Sequence, residues 1–366
     1  MPQIRHLAAH IEALAPLAYQ ESYDNVGLLV GDPKTDIMGV LVTLDVTEAV
    51  VDEAIANGCN VIVAHHPIVF KGLKKLTGKT YVERTVIKAI KNDVALYAAH
   101  TNLDNVAGGV NFKIAEKLNL QNVKILAPKA QVLTKLVTFV PIAHTQSVLD
   151  ALYAAGAGQI GEYKNCSFRV EGTGTFQAAE NAQPTVGEVG QYHEEAENRI
   201  EVIFPTHQQG QLLTALRQAH PYEEVAYYLT PLDNQHQEVG SGAVGELPES
   251  LTGKAWLSYL KEHMNLKLIR YTPLPDRPIK RIAVCGGVGS FLLPDALRAG
   301  ADVFVTADYK YHEFFDAEGR ISICDIGHYE SEVFTKDLIF GHLAKKFTTF
   351  AVILSVTDTN PVRYFI

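Results

Sequence analysis

The sequence has four cysteines, Cys59, Cys166, Cys285 and Cys324, and none of them forms a Cys-x-x-Cys pair. That scatter speaks against disulfides and leads us to expect buried thiols. Positive charge is also in short supply. With 32 lysines and arginines against 41 aspartates and glutamates, the formal net charge is -9. Broad attraction to nucleic acid or to an anionic membrane is therefore not expected, although a local basic cleft is compatible with this balance. Long apolar runs are missing as well: the stretch ending in Ile62, Val63 and Ala64 falls far short of the roughly 20 residues a membrane span needs. The N-terminus carries Arg5, His6 and His10 instead of the apolar core and small-residue cleavage site of a secretory signal, so a cytoplasmic location is expected.

What is present fits an ordinary globular protein: 366 residues, 47% hydrophobic and 20% charged. At roughly 100–200 residues per domain, that length predicts two or three domains. From residue 38 to 101, short apolar runs (38–46, 61–64, 94–99) alternate with amphipathic stretches (47–57, 81–91), the rhythm of a βαβαβ unit with a parallel sheet. The rhythm returns after residue 279, with runs at 281–285, 302–306, 321–326 and 350–356, a helix near 291–298 and a long helix over 329–346. Between them, two β-α-β halves (135–140, 147–155, 167–172, then 200–204, 211–219, 225–229) read as a ferredoxin-type split unit. The expected architecture is thus α/β: a discontinuous domain of residues 1–127 plus 276–366, interrupted by an α+β insert over 128–275.

In open α/β sheets, ligands bind beyond the carboxyl ends of the parallel strands. The predicted strand exits carry His65-His66-Pro67, His100-Thr101-Asn102-Leu103-Asp104, Gly286-Gly287-Val288-Gly289-Ser290, Asp308 with His312, and Gly327-His328-Tyr329-Glu330-Ser331-Glu332. Four of these five exits hold potential metal ligands. Adjacent histidines on an extended chain point to opposite sides, and Pro67 biases His66 towards that conformation, so His65 and His66 can each address a different ion. His328 and Glu332, spaced i, i+4 at a helix start, share one face. Asp104 adds a hard carboxylate able to bridge. Five such ligands give about three bonds per ion, short of the four to six usually taken, which leaves positions for water or substrate. The donor set suits zinc first, or Fe, Mn, Ni or Co, better than Cu(I) or an iron–sulfur cluster.

Several other features have two readings. Asp308 and His312 repeat the i, i+4 spacing and read either as direct ligands or as groups supporting a ligand or facing substrate. His100 either orients a ligand or touches substrate, or is a strand-end histidine bonded to backbone. Gly286 to Ser290 could offer N–H groups to an anion or form a tight turn. The 72–80 segment imitates a phosphate-binding loop but has five residues between its glycines where the motif needs four. His220-Pro221-Tyr222-Glu223-Glu224 reads as a ligand patch or, better, as a helix stop set by Pro221.

Together with the N-terminal Glu21-Ser22-Tyr23-Asp24-Asn25-Val26-Gly27-Leu28-Leu29-Val30-Gly31-Asp32, the His65, His100 and His328 blocks resemble the GTP cyclohydrolase I type 2 homologues, also called NIF-three-like proteins. The resemblance covers essentially the whole chain. It implies a two-metal site with His65, His66, Asp104, His328 and Glu332 as ligands, a toroidal homohexamer, and an insert similar to PII/CutA-like domains. Tyr23 departs from the tryptophan of many relatives, and the Asp308 segment from their paired histidine, without touching the ligands.

The expected activity is that of a metal-dependent hydrolase in which two divalent ions per subunit activate water against GTP or another nucleotide, with His100 or His312 as proton shuttle. Two alternatives remain: a metal-binding regulatory or scaffold protein whose insert senses a ligand, and a phosphoesterase using the same ions. Metal removal separates the first of these from an enzyme, since it would alter melting or assembly with no turnover to lose.

Overall fold

A computed structural model describes residues 1–365. The chain forms two compact units, the larger joining Met1–Ala127 to the chain from Glu238 onward and the smaller spanning Pro128–Gln237. The sequence pattern carried the insert on to residue 275; the structure ends it at 237. The reason is Gly240–Leu251, a strand that pairs antiparallel with Ile279–Val288, placing Ala243 opposite Val284. The helix Gly253–His263, which buries Trp256, follows it in the larger unit.

Two sheets build the larger unit. The first runs in the order Gly27–Val30, Ala95–Ala98, Val61–Ala64, Gly39–Thr43, Ala351–Leu354, parallel except at its Gly27–Val30 edge. The second runs Arg270–Tyr271, Ser322–Asp325, Val303–Ala307, Ile279–Val288, Gly240–Leu251, Gln121–Pro128. The two halves of the unit thus exchange strands. Gln121–Pro128 joins the later sheet, and Ala351–Leu354, expected beside the later strands, returns to pair with Gly39–Thr43.

The inner strands are continuous apolar runs because both faces are covered: Val40, Leu41 and Val42, and Val61 through Ala64, have no exposed surface. Helix Glu48–Ala56 starts where the Thr47 hydroxyl accepts from Val50 N, and Tyr81–Lys91 where Thr80 accepts from Glu83 N. Their apolar stripes, Val50, Val51 and Ala54 with Val86 and Ala89, pack on Ile62 and Leu96. The long helix expected over 329–346 is two, His328–Glu332 and Thr335–Lys346. Asp337 N and Leu338 N both turn to the Phe334 carbonyl, which starts a second helix there.

The smaller unit runs strand, helix, strand, strand, helix, strand. Its sheet is antiparallel in the order Phe168–Gln177, Tyr192–Pro205, Leu133–Pro141, Tyr227–Leu232. Helices Thr145–Ala154 and Gln209–Ala219 cover one face, packing Val148, Leu152, Leu212 and Leu216 on Leu136, Ile200, Val202 and Phe204. All four cysteines are free, with Cys59, Cys285 and Cys324 buried. Among the described residues, no helix is long and apolar enough to cross a membrane.

Candidate metal centre

The carboxyl ends of the larger unit's parallel strands deliver one side chain after another to a single point. His65 follows Val61–Ala64 directly and is fully buried. Its Nδ1–H donates to the Ala99 carbonyl at 2.8 Å, which fixes the tautomer and leaves Nε2 bare. Asp104, at the end of the short helix Thr101–Asp104, brings Oδ1 to 3.7 Å from that nitrogen. Both atoms are buried without a hydrogen-bond partner, and such orphaned acceptors are costly unless a cation completes them. Glu332 Oε1 lies 3.8 Å from the same His65 nitrogen.

On the other side of Glu332, His66 repeats the arrangement. Its Nδ1 donates to Asp45 Oδ1 at 2.7 Å, and its Nε2 faces Glu332 Oε2 at 2.9 Å. His328 donates from Nδ1 to Asp308 Oδ2 at 2.6 Å and presents Nε2 to Glu332 Oε2 at 3.0 Å. With both Nδ1 protons given to carboxylates, the two Nε2 atoms meet at 3.4 Å, an arrangement that needs positive charge between them. Burial disfavours charged His66, but Asp45 and Glu332 outweigh burial and lift it to about 10. In the same way Glu332 and Asp308 overcome burial to lift His328 to about 9. Burial, with the Glu332 carboxylate beside it, raises Asp104 to about 7. Glu332 itself is held well below the usual carboxylate range, its burial outweighed by His328, His65 and His66.

Ligand atoms of His65, Asp104 and Glu332 lie within 4.8 Å of one another, and so do those of His66, His328 and Glu332. The carboxylate common to both groups is Glu332, whereas the sequence pattern had offered Asp104 as the bridge. His65, His66 and His100 form a third such group. His100 stands with its ring 5.2 Å from that of His65 and 5.5 Å from that of His66, and its Nδ1 pairs with Asp24 Oδ1 at 2.8 Å. His312 is not gathered with these side chains. It is exposed on the 3-10 turn Tyr311–Ala317, against Tyr311 and Phe315.

Three supporting residues were missed or left undecided by sequence reasoning. Asp45 lies just beyond Gly39–Thr43, so the strand-exit rule that found the histidines also pointed to it. Asp308 turns out to support His328, in a left-handed backbone conformation (φ 56°) that costs energy in a non-glycine residue. Asp24 lies far away in sequence, yet it accepts from His100, from Thr101 N at 3.0 Å and from the Thr101 hydroxyl. The glycine turn is explained by space. A Cβ on Gly287 would sit 2.5 Å from Glu332 Oε1 and 3.2 Å from His328 Cε1. Two of the turn's amides are already committed, Gly286 N to Asn111 Oδ1 and Gly287 N to the Ser331 hydroxyl, both at 2.9 Å.

The P-loop imitation fails for a similar reason, since Thr77 N and Lys79 N donate to the chain's own Glu83. In the smaller unit His220 is tied up by the backbone, Nε2 on the Phe139 carbonyl and Nδ1 accepting from Tyr222 N. Burial together with Asp104 and Glu332 pushes the Cys285 thiol up, so it offers no competing thiolate.

The histidines open onto a cavity of about 590 Å³, within the usual range for small-molecule sites. His66, His100 and His328 line it with Asp45, Asp308, Glu330, Arg270, Asn360 and Tyr364.

The sequence profile of the Duf34/NIF3 (NGG1p interacting factor 3) family matches residues 2–361. A Bacillus subtilis protein called GTP cyclohydrolase 1 type 2 homolog is 39% identical over 359 residues, 96% of each chain. The crystal structure of a Bacillus cereus protein related to NIF3 superposes with a TM-score of 0.87 at 38% identity, covering 100% of this chain and 99% of that one. A Staphylococcus aureus protein gives a TM-score of 0.79 at 31% identity over 100% and 99%.

Proposed function

The chain belongs to the Duf34/NIF3 family, and from that premise we propose that it is a dinuclear divalent-metal-dependent hydrolase acting on a nucleotide-like small molecule. His65, Asp104 and Glu332 would hold one ion and His66, His328 and Glu332 the other. The observation that carries this reading is the pair of buried, partnerless acceptors, His65 Nε2 and Asp104 Oδ1, facing the carboxylate that His66 and His328 also address. Zinc suits the imidazole and carboxylate donors, as do Fe, Mn, Ni and Co. Divalent ions bound there supply Lewis-acid activation of water and of a substrate oxygen.

The remaining work falls to the chain. Asp45, Asp308 and the Ala99 carbonyl orient the three imidazoles, and burial of Glu332 and His65 keeps bulk water from their donor atoms. His100, aligned by Asp24 and standing in the cavity wall, moves a proton between water and substrate at Nε2. Two carboxylates leave two divalent ions with about two units of positive charge, which with Arg270 favours an anionic substrate. GTP is the first compound to test because of the names its relatives carry.

The same reading makes the smaller unit ferredoxin-like, supported by its β-α-β-β-α-β order and its antiparallel sheet. It also takes the protein to be a cytoplasmic homohexamer. The functional test is turnover of GTP and other nucleotides by metal-loaded protein: His65→Ala and Glu332→Ala are expected to abolish it, and turnover equal to wild type in both variants would overturn the proposal.

A further inference from the structure

The smaller unit covers only one face of its sheet with helices. On the other face Phe139 lies across from Arg199, Gly172 from Glu197 and Tyr228 from Val137. Towards one end of this face a cavity of about 520 Å³ opens, separate from the metal centre and contained within the unit. Four aromatic side chains line it: Phe139 and Tyr228 meet edge to face at 5.8 Å, and Phe176 and Tyr222 stand 6.3 Å apart. Glu197 reaches its wall although the residue is only 8% exposed. Its Oε1 accepts from the Tyr222 hydroxyl at 3.0 Å.

That carboxylate occupies space made for it. A Cβ on Gly174 would lie 2.1 Å from Glu197 Oε2, so the strand admits the side chain only because residue 174 has none. A largely buried carboxylate that keeps its charge is stabilised when a donor or a cation meets it. Glu223 and Glu224 also line the cavity, and no lysine, arginine or histidine does. Aromatic faces beside a largely buried carboxylate attract organic cations, through the ring quadrupoles and the charge together. Calcium or magnesium fits poorly, because each takes six or more oxygens and the buried part of the wall offers one carboxylate, and zinc fits poorly because no histidine or cysteine lines the cavity.

We propose that this cavity in the smaller unit binds a small organic cation, an ammonium or guanidinium compound whose charged head sits against Glu197 between the aromatic rings. The occupant is chosen by charge: three glutamates, no basic side chain, and rings of the kind that hold alkylated ammonium groups.

The test is calorimetric titration of the full chain with choline, with argininamide, and with 3,3-dimethylbutan-1-ol as the neutral isostere of choline. At least one cation is expected to bind, and the neutral compound to bind at least about tenfold more weakly. Glu197→Gln, which keeps the shape and the Tyr222 contact, and Gly174→Ala, which displaces the carboxylate, are each expected to weaken the cation about tenfold. Metal content should stay at the wild-type level in both. Failure of both cations to bind wild type, equal binding of the neutral isostere, or undiminished binding by Glu197→Gln would overturn the proposal. So would a change in oligomer size in Tyr228→Ala with no cation binding by wild type, which would mark the face as a contact between copies of the chain.

Discussion

Replacing Gly287 by alanine should weaken metal binding although Gly287 is itself no ligand. The added Cβ would lie 2.5 Å from Glu332 Oε1. An ordinary contact needs about 3.4 Å, so Oε1 must retreat by about 0.9 Å, against the roughly 0.2 Å that metal-ligand distances tolerate. Losses of the size seen when ligand-supporting groups are removed, about 10- to 100-fold in metal affinity, are therefore expected. The backbone contributes separately: φ is +60° at Gly287, and alanine in that region costs about 1 kcal/mol of stability. Gly300 isolates this second effect, because its φ is +68° and a Cβ there meets nothing within 4 Å. The assay is competition for zinc against a chromophoric chelator, with thermal melting in parallel. Both variants should melt slightly lower, and only Gly287→Ala should lose affinity. Equal affinity in the two would refute the argument that the turn is glycine to make room for Glu332.

Asp45→Asn and Asp308→Asn should each weaken binding of one ion about 10-fold or more by loosening His66 or His328, since asparagine is the poorer acceptor for the Nδ1 proton. Asparagine tolerates the left-handed conformation at 308, so the second change should leave melting nearly unaltered; metal affinity at the wild-type level in both would count against these supporting roles. Asp24, whose burial is outweighed by hydrogen bonds from His100 and Thr101, is held at about 2. A depressed carboxylate contributes stability that is present above its unfolded value of about 3.8 and lost as pH falls through about 2. The melting difference between wild type and Asp24→Asn, on the order of 1–2 kcal/mol near neutrality, should therefore shrink below pH 4; a difference independent of pH would contradict this.

Where local chemistry decided the structure, the sequence was legible. The run 61–64 and the amphipathic stretch 81–91 correspond to Val61–Ala64 and Tyr81–Lys91, because an apolar run buried on both faces and a capped, two-faced helix both leave their period in the residues. The i, i+4 pair His328 and Glu332 was legible for the same reason, since helix geometry puts both side chains on one face; His65 and His66 lie past the end of Val61–Ala64 with their rings 4.9 Å apart, so strand alternation does not set where they point. Gly240–Leu251 was not. Its Gly-Ser-Gly and Leu-Pro-Glu segments look like loop, yet Gly245 is small because a Cβ would meet Gln121 O and Leu120 Cβ, each at 3.0 Å. Close approach between strands removed the side chains that would have announced a strand. The pairing of Ala351–Leu354 with Gly39–Thr43, the place of Glu332 in both candidate ligand groups, and the partnership of Asp24 with His100 are all long-range. No local pattern encodes them.

The central claim is that Glu332 is common to two ions, and metal stoichiometry tests it most directly. Elemental analysis of purified, metal-loaded protein should give about two divalent ions per wild-type chain, about one for His65→Ala and for His328→Ala, and almost none for Glu332→Ala. Two ions retained by Glu332→Ala, or a single ion in wild type that His65→Ala and His328→Ala each abolish, would contradict it.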